Sequence, residues 1–322
     1  MTHPPADRLD ILCLGEAMVE FNQTGGADSE QYLRGFGGDT SNCAIAAARQ
    51  GARTGYCTLV GSDPFGDLLL DLWRREQVDT AAVGRRADAA TAVYFVTHSD
   101  AGHTFTYYRR DSAASRITPA DLPGDLAART RFLQASGISL AVSPGMRATV
   151  MAAIAAMRSG GGRVAFDTNL RLKLWPLDEA RAAITAALRL SDIALPSLDD
   201  ARGLTGLDEA AANIAWFRDL GVPLIALKCG GDGMLLADAD GGTWRLPGHR
   251  VDSVDATGAG DCFDGAFLAE LARGVKPLDA AVYANAAAAL TTTGYGAVAP
   301  IPHRRDVESF LRETGGVTPQ PA

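Results

Sequence analysis

Lysine is almost missing from this chain of 322 residues. The three present are Lys173, Lys228 and Lys276, and none follows the glycine run that a P-loop nucleotide site requires. A Gly-x-Gly-x-x-Gly run after the first apolar stretch is missing too. Gly15-Glu16-Ala17-Met18 stands there, which excludes the usual nicotinamide dinucleotide turn. Cysteine is sparse: Cys13, Cys43, Cys57, Cys229 and Cys262 are scattered singly among apolar residues, with no CxxC pair. Such a set argues against a disulfide framework or a metal cluster, and it predicts buried thiols in a reduced cytoplasm. His98 and His103 lie close together but lack a third ligand, and are read as exposed polar residues on a strand pair. No apolar run approaches the ~20 residues of a membrane span. With 30 basic and 38 acidic residues the formal net charge is −8, so neither nucleic acid nor an anionic membrane is an expected partner. Residues 1–7 carry no basic-then-apolar leader pattern and are read as a short loose lead.

What the chain does have is alternation. Apolar runs at Ile11–Gly15, Tyr56–Gly61, Phe132–Ser136, Val164–Asp167, Ile193–Pro196, Leu224–Cys229 and Met234–Ala237 read as strands. Helical spacing covers Ala44–Arg49, Pro144–Arg158, Asp178–Leu190, Asp208–Leu220, Cys262–Arg273 and Leu278–Thr291. A further helix opens at Asp63-Pro64, a capping residue with proline at the first position, and runs through Trp73. Strand–helix alternation of this kind predicts an α/β fold of the Rossmann type, a mainly parallel sheet with helices on both faces. Ligands of such sheets collect at the C-terminal strand ends, where Gly15, Gly61, Asp167 and Gly258 are expected. Between residues 91 and 115 the texture turns β-rich. Thr91–Thr97 and His103–Arg109 predict an antiparallel hairpin turning at Ser99-Asp100-Ala101-Gly102. One domain over residues 8–314 is expected, with 316–322 loose.

Several stretches carry chemistry. Gly258, Ala259 and Gly260 precede an apolar helix, Phe263, Ala266, Phe267 and Leu271. Small residues at a helix start leave the first N–H groups open to an anion. Asp261 falls in the first turn beside that anion, where a carboxylate can accept a hydroxyl proton during phosphoryl transfer. A capping Asp after a glycine turn would look the same. Lys228-Cys229-Gly230-Gly231-Asp232-Gly233 reads as a glycine-rich hairpin, and Ser197 with Asp200 as ordinary helix capping. Tyr107-Tyr108-Arg109 and Asp167-Thr168-Asn169-Leu170-Arg171 could face one pocket, and two converging arginine forks suggest an acid substrate.

The run Asp255-Ala256-Thr257-Gly258-Ala259-Gly260-Asp261 resembles the C-terminal signature of the ribokinase-like (carbohydrate kinase PfkB) family, with Ala256 where threonine is common. Phe36-Gly37-Gly38-Asp39-Thr40-Ser41-Asn42 is similar to that family's N-terminal glycine pair. The resemblance implies ATP-dependent phosphorylation of a sugar, with Asp261 as base and the N–H groups of Gly258, Ala259 and Gly260 holding the transferring group. It implies Mg²⁺ on the ATP phosphates, with Asp200 as the nearby carboxylate, and a monovalent cation such as K⁺ at Asp255 and Thr257. Ser197, Lys228, Gly230, Gly231, Gly233 and Asn285 would line the nucleotide. Gly38, Asp39, Tyr94, Tyr107, Arg109 and Arg171 would hold the sugar beneath a β lid built from residues 17–36 and 91–115, itself a contact for homo-oligomers. Ser197-Leu198-Asp199-Asp200, the Asp167–Arg171 run and Leu174-Trp175 look most like the branch acting on 2-keto-3-deoxygluconate, a sugar acid. Fructokinases share part of that pattern, and a non-catalytic sugar-binding protein on the same fold is the third alternative.

Overall fold

Short apolar strands, each followed by a helix, generate most of this molecule. The computed structural model describes residues 8–26, 28–99 and 102–322; the lead at 1–7 and the expected turn residues Asp100-Ala101 lie outside them. In chain order the elements are β1 (Leu9–Leu14), β2 (Met18–Gln23), β3 (Tyr32–Gly37), α1 (Asp39–Arg49), β4 (Thr54–Gly61), α2 (Pro64–Arg75), β5 (Asp79–Arg86), β6 (Val93–Ser99) and β7 (Gly102–Tyr108). There follow α3 (Leu126–Arg129), β8 (Thr130–Ser136), α4 (Gly137–Ala141), α5 (Pro144–Ser159), β9 (Arg163–Asp167), α6 (Leu177–Leu188), β10 (Ile193–Ala194), α7 (Leu198–Thr205) and α8 (Ala210–Asp219). The rest is β11 (Leu224–Lys228), β12 (Met234–Ala237), β13 (Thr243–Leu246), α9 (Ala259–Ala272), α10 (Pro277–Thr291), α11 (Arg304–Thr314) and β14 (Gln320–Pro321).

Ten strands form one sheet in the order β14-β13-β12-β11-β10-β9-β8-β1-β4-β5. From β5 to β11 the pairs are parallel, and β12, β13 and β14 add antiparallel. The central strands are buried on both faces, which is why they read as continuous apolar runs. The sheet divides two apolar clusters. One gathers Cys43, Trp73, Phe263, Phe267 and Ala284 from α1, α2, α9 and α10; the other gathers Leu140, Val150, Ile184 and Phe217 from α4, α5, α6 and α8.

β3, β2, β6 and β7 make a separate four-stranded sheet. Here β6 and β7 pair antiparallel, bringing exposed His98 opposite exposed His103. β2 joins this sheet to β6 in parallel, pairing residues 19–22 with 93–96.

Three expectations need correcting. The tail after Gly315 does not run free: Gln320 and Pro321 pair with Arg245 and Trp244, and the Ala322 N–H donates to Thr243 at 2.9 Å. Gly258 does not end a parallel strand, because it follows antiparallel β13 and the loop of residues 247–257. Four of the five free cysteines are buried, but Cys229 is only partly so.

Candidate active site

Two helices set the position of Asp261. α9 begins after left-handed Gly258 (φ 77°), which puts Asp261 in its first turn. α9 lies so close to α1 that a Cβ at Gly265 would stand 2.4 Å from the Cys43 carbonyl oxygen; only glycine permits that approach. The contact brings Asn42 of α1 to Asp261, and its amide Nδ2 donates to Asp261 Oδ2 at 2.8 Å. Asp261 keeps a partly exposed edge. Burial, with the charges of Asp39 and Asp167, nevertheless pushes its carboxyl up to about 8, against the pull of Asn42 and Lys228. A carboxylate in that range sits near neutrality, where a proton acceptor works best. Of the N–H groups at this helix start, that of Ala259 turns back to the Ala256 carbonyl at 3.2 Å.

Lys228, the last residue of β11, enters from the sheet side. Its Nζ donates to Asp264 Oδ1 at 2.7 Å and lies 3.6 Å from Asp167. Burial alone would lower its pKa, but the Asp167 and Asp264 carboxylates outweigh that and hold it above the ordinary lysine range.

Of the residues expected to hold the sugar, Asp39 lies close enough to act on the Asp261 carboxyl. Gly38 (φ 118°) precedes α1, and a Cβ there would fall 2.4 Å from the Glu16 carbonyl oxygen. Next to it, Asp39 Oδ2 accepts from the Asn169 amide at 2.9 Å. Asn169 holds a left-handed backbone (φ 25°), strain of the kind that collects at working sites. Tyr94 is buried and donates to Glu20, and its ring stacks on Tyr107 at 5.5 Å. Arg109 is not free: its guanidinium pairs with Glu16, whose side chain is fully buried and also accepts from Ser112 at 3.0 Å. Burial lifts Glu16 above the usual carboxylate range even with Arg109 beside it. Arg171 is more open: its side chain is 56% exposed, lies 3.8 Å from Asp200 and donates to the Leu170 carbonyl at 3.0 Å. Burial raises the Tyr107 hydroxyl, against the charges of Arg109 and Arg171.

On the other side, Ser197 caps α7 by accepting from the Asp200 N–H at 3.0 Å. Burial, then the charge of Asp167, raises the Asp200 carboxyl, and Thr168 donates to it at 3.4 Å. Gly230 and Gly231 face open space, whereas a Cβ at Gly233 would strike the Leu246 carbonyl oxygen at 2.1 Å. The glycine turn thus lies against the 246–248 segment. Asn285, expected at the adenine, donates to the Pro247 carbonyl at 2.8 Å and pins that same segment. Asp255 Oδ1 accepts from the Thr257 N–H at 2.9 Å and its hydroxyl at 2.6 Å, and Oδ2 from the Gly296 N–H at 2.9 Å. Burial works to raise Asp255, but these bonds hold it below the usual carboxylate range. Among the described residues, no three His, Cys, Asp or Glu side chains group so as to hold a metal ion.

Asn42, Asn169, Glu16, Glu20, Asp167 and Asp264 were not singled out as site residues, yet they orient those that were. Asn42 follows Asp39 at helical spacing, a signal that was available; Glu16 and Arg109 gave none, since their pairing spans the fold. A groove of about 270 Å³ among Leu9, Leu12, Asp79 and Arg129 opens at the N-terminal strand ends and contains none of these groups.

A parallel α/β sheet with a carboxylate in the first turn of a glycine-led helix, beneath a small β sheet, defines a sugar kinase of ribokinase-like fold. Residues 8–304 match the pfkB family carbohydrate kinase description, and the chain belongs to that family, whose members phosphorylate sugars with ATP. The 2-dehydro-3-deoxygluconokinase of Escherichia coli K12 is 33% identical over 90% of this chain and 97% of its own length. A probable fructokinase-2 of Arabidopsis thaliana is 31% identical over 94% of this chain and 95% of its own. Among solved structures, a putative Ribokinase II of E. coli in complex with ATP and Mg²⁺ has a TM-score of 0.87 at 26% identity, covering 94% of this chain and 99% of that one.

Proposed function

We propose that this kinase transfers the terminal phosphoryl of ATP to the terminal hydroxyl of 2-keto-3-deoxygluconate, giving 2-keto-3-deoxy-6-phosphogluconate in sugar-acid breakdown. The observation that carries the reading is Arg171: a half-exposed guanidinium, held by one nitrogen to the Leu170 carbonyl and lying 3.8 Å from Asp200, keeps donors for a substrate carboxylate. Asp39 and the Asn169 amide would take sugar hydroxyls. Asp261 would accept the proton of the attacking hydroxyl, while the N–H groups of Gly258 and Gly260 would face the group in transit, that of Ala259 being turned to the Ala256 carbonyl.

Mg²⁺ on the ATP phosphates would neutralise their charge. That ion binds one or two carboxylates plus phosphates rather than a full protein cage, and Asp200, next to the charge of Asp167, would be the carboxylate to hold it. Both Asp255 oxygens already accept hydrogen bonds, so a monovalent cation such as K⁺ beside Thr257 would use their remaining lone pairs. Tyr32 and Tyr108, both in edge contact with the Phe95 ring, leave one face of the small sheet with an exposed aromatic patch, and in this reading a second copy covers it. Free cysteines suit a cytoplasmic setting.

A fructokinase reading is the second one. It is favoured by the Glu16–Arg109 pair, which leaves one arginine, not two, unneutralised at the sugar side. ATP turnover measured against 2-keto-3-deoxygluconate, fructose and ribose decides: the proposal expects the sugar acid to lead in kcat/KM by ten-fold or more, roughly the worth of one charge-assisted fork. A lead for fructose would replace it.

A further inference from the structure

We propose that Asp264 is a positioning residue for phosphoryl transfer, holding the Lys228 ammonium at the first turn of α9, where it neutralises the group in transit. The inference rests on the sugar-kinase reading but not on which sugar is used.

Asp264 lies three residues after Asp261 and four after Gly260. At those spacings helical side chains share a face, and they lean toward the helix N-terminus. Asp264 is 1% exposed; its Oδ1 takes the Lys228 bond at 2.7 Å, and its Oδ2 has no hydrogen-bond partner. As a stabilising device this is a poor choice, because a buried ion pair rarely outperforms apolar packing. As a positioning device it makes sense. The Lys228 Nζ would stand 3.7 Å from a Cβ placed on Gly260, so the ammonium sits over the first-turn position that carries no side chain. The base of the lysine is fixed as well, since its N–H donates to the Pro196 carbonyl at 2.8 Å.

The surroundings explain why a fixed cation is needed. Asp39 and Asp167 lie close enough to act on Asp261, and Asp167 on Asp200, so a phosphoryl group entering here meets several carboxylates. A cation held at the helix start offsets that repulsion where charge accumulates. Lys228 has a competing partner in Asp167 at 3.6 Å. Without Asp264 the flexible lysine stem would swing toward Asp167, away from the helix terminus. Lys228 remains protonated throughout: the bond still forms between the sugar oxygen and phosphorus, the bond to ADP breaks, and the hydroxyl proton goes to Asp261.

The test compares Asp264→Asn, Lys228→Met and the double variant on the sugar that the wild type turns over fastest. Asp264→Asn is expected to lower kcat by ten-fold or more, with the sugar KM little changed. Lys228→Met is expected to lower kcat by a hundred-fold or more. Asp264→Asn added to Lys228→Met should cost nothing further, since Asp264 acts only through the lysine. Losses that multiply in the double variant would overturn the proposal, as would an unchanged kcat in Asp264→Asn. Should Asp264→Asn fail to fold, Lys228→Met decides alone: a kcat within a few-fold of wild type leaves nothing to position. Failure of 2-keto-3-deoxygluconate as a substrate would sink only the substrate reading, because the series is run on whichever sugar is turned over.

Discussion

The Asn42 amide donates to Asp261 Oδ2 at 2.8 Å, joining the starts of two helices that lie 219 residues apart in the chain. That bond opposes the burial and like charges that raise the Asp261 carboxyl. Asn42→Ala removes the opposing force, so the base should ionise at higher pH than in the wild type. Turnover at pH 7 should fall by about ten-fold and recover toward pH 9. A profile of kcat/KM against pH checks this, and an unmoved acidic limb would count against it.

Asp261→Asn keeps size and shape, and should cost on the order of 10²–10⁴ in rate with ATP binding retained. Its stability should also depend on pH in a definite direction. The folded-state pKa of Asp261 is raised to about 8, so the wild type loses stability as pH climbs from the unfolded carboxylate range toward that value. The variant carries no such group. Its melting temperature relative to wild type should therefore rise between pH 4 and pH 8, and a flat difference would refute the assignment of the raised pKa.

Arg171 and Arg109 should behave differently. Arg171→Ala is expected to raise the KM for 2-keto-3-deoxygluconate by roughly ten-fold or more, with much less effect on neutral sugars, because a charge-assisted fork is lost. Lysine at that position should rescue only in part. Arg109→Ala instead strands the buried Glu16, so it should destabilise the protein by about 3–5 kcal/mol. Adding Glu16→Gln should recover part of that loss. Chemical denaturation of the single and double variants measures it; equal stabilities would show that the pair matters little.

β6 and β7 are tied to the body through β2 and the Glu16–Arg109 pair, while every residue of β7 is exposed. If this sheet closes on sugar, amide exchange in residues 93–99 and 102–108 should slow when substrate binds, on the slower time scale of lid motion. Equal exchange with and without sugar would make the sheet a static wall.

Much of the architecture was legible because central strands and their helices announce themselves by long apolar runs. The Asp63 cap was legible too: its carboxylate accepts from the Gly66 N–H at 2.8 Å, as the Asp-Pro start implies. What escaped notice lies at the margins. β5 reads Asp-Thr-Ala-Ala-Val-Gly-Arg-Arg, an edge strand with charge at both ends, and α11 fully buries only Val307. β5 has too little apolar content to show a period, whereas α11 carries a short one at Val307, Phe310 and Leu311 amid charged residues. At the site, the motif residues could be named but not their partners. Asp39–Asn169, Lys228–Asp264 and Glu16–Arg109 are pairings across the fold, and local spacing is silent about them. That is also why Arg109 was expected to be free to grip a carboxylate and is found paired with Glu16.

The short strand at the end of the chain has a consequence for handling the protein. Gln320 and Pro321 cover the outer side of β13, and proline offers no N–H to a further strand. The large sheet therefore ends on a surface that does not invite another molecule to extend it. Removing the residues after Gly315 would bare the Thr243–Leu246 edge, with Trp244 alongside, as a template for strand-to-strand aggregation. Such a shortened chain should still turn over sugar when dilute and should precipitate on concentration, a difference that light scattering would reveal.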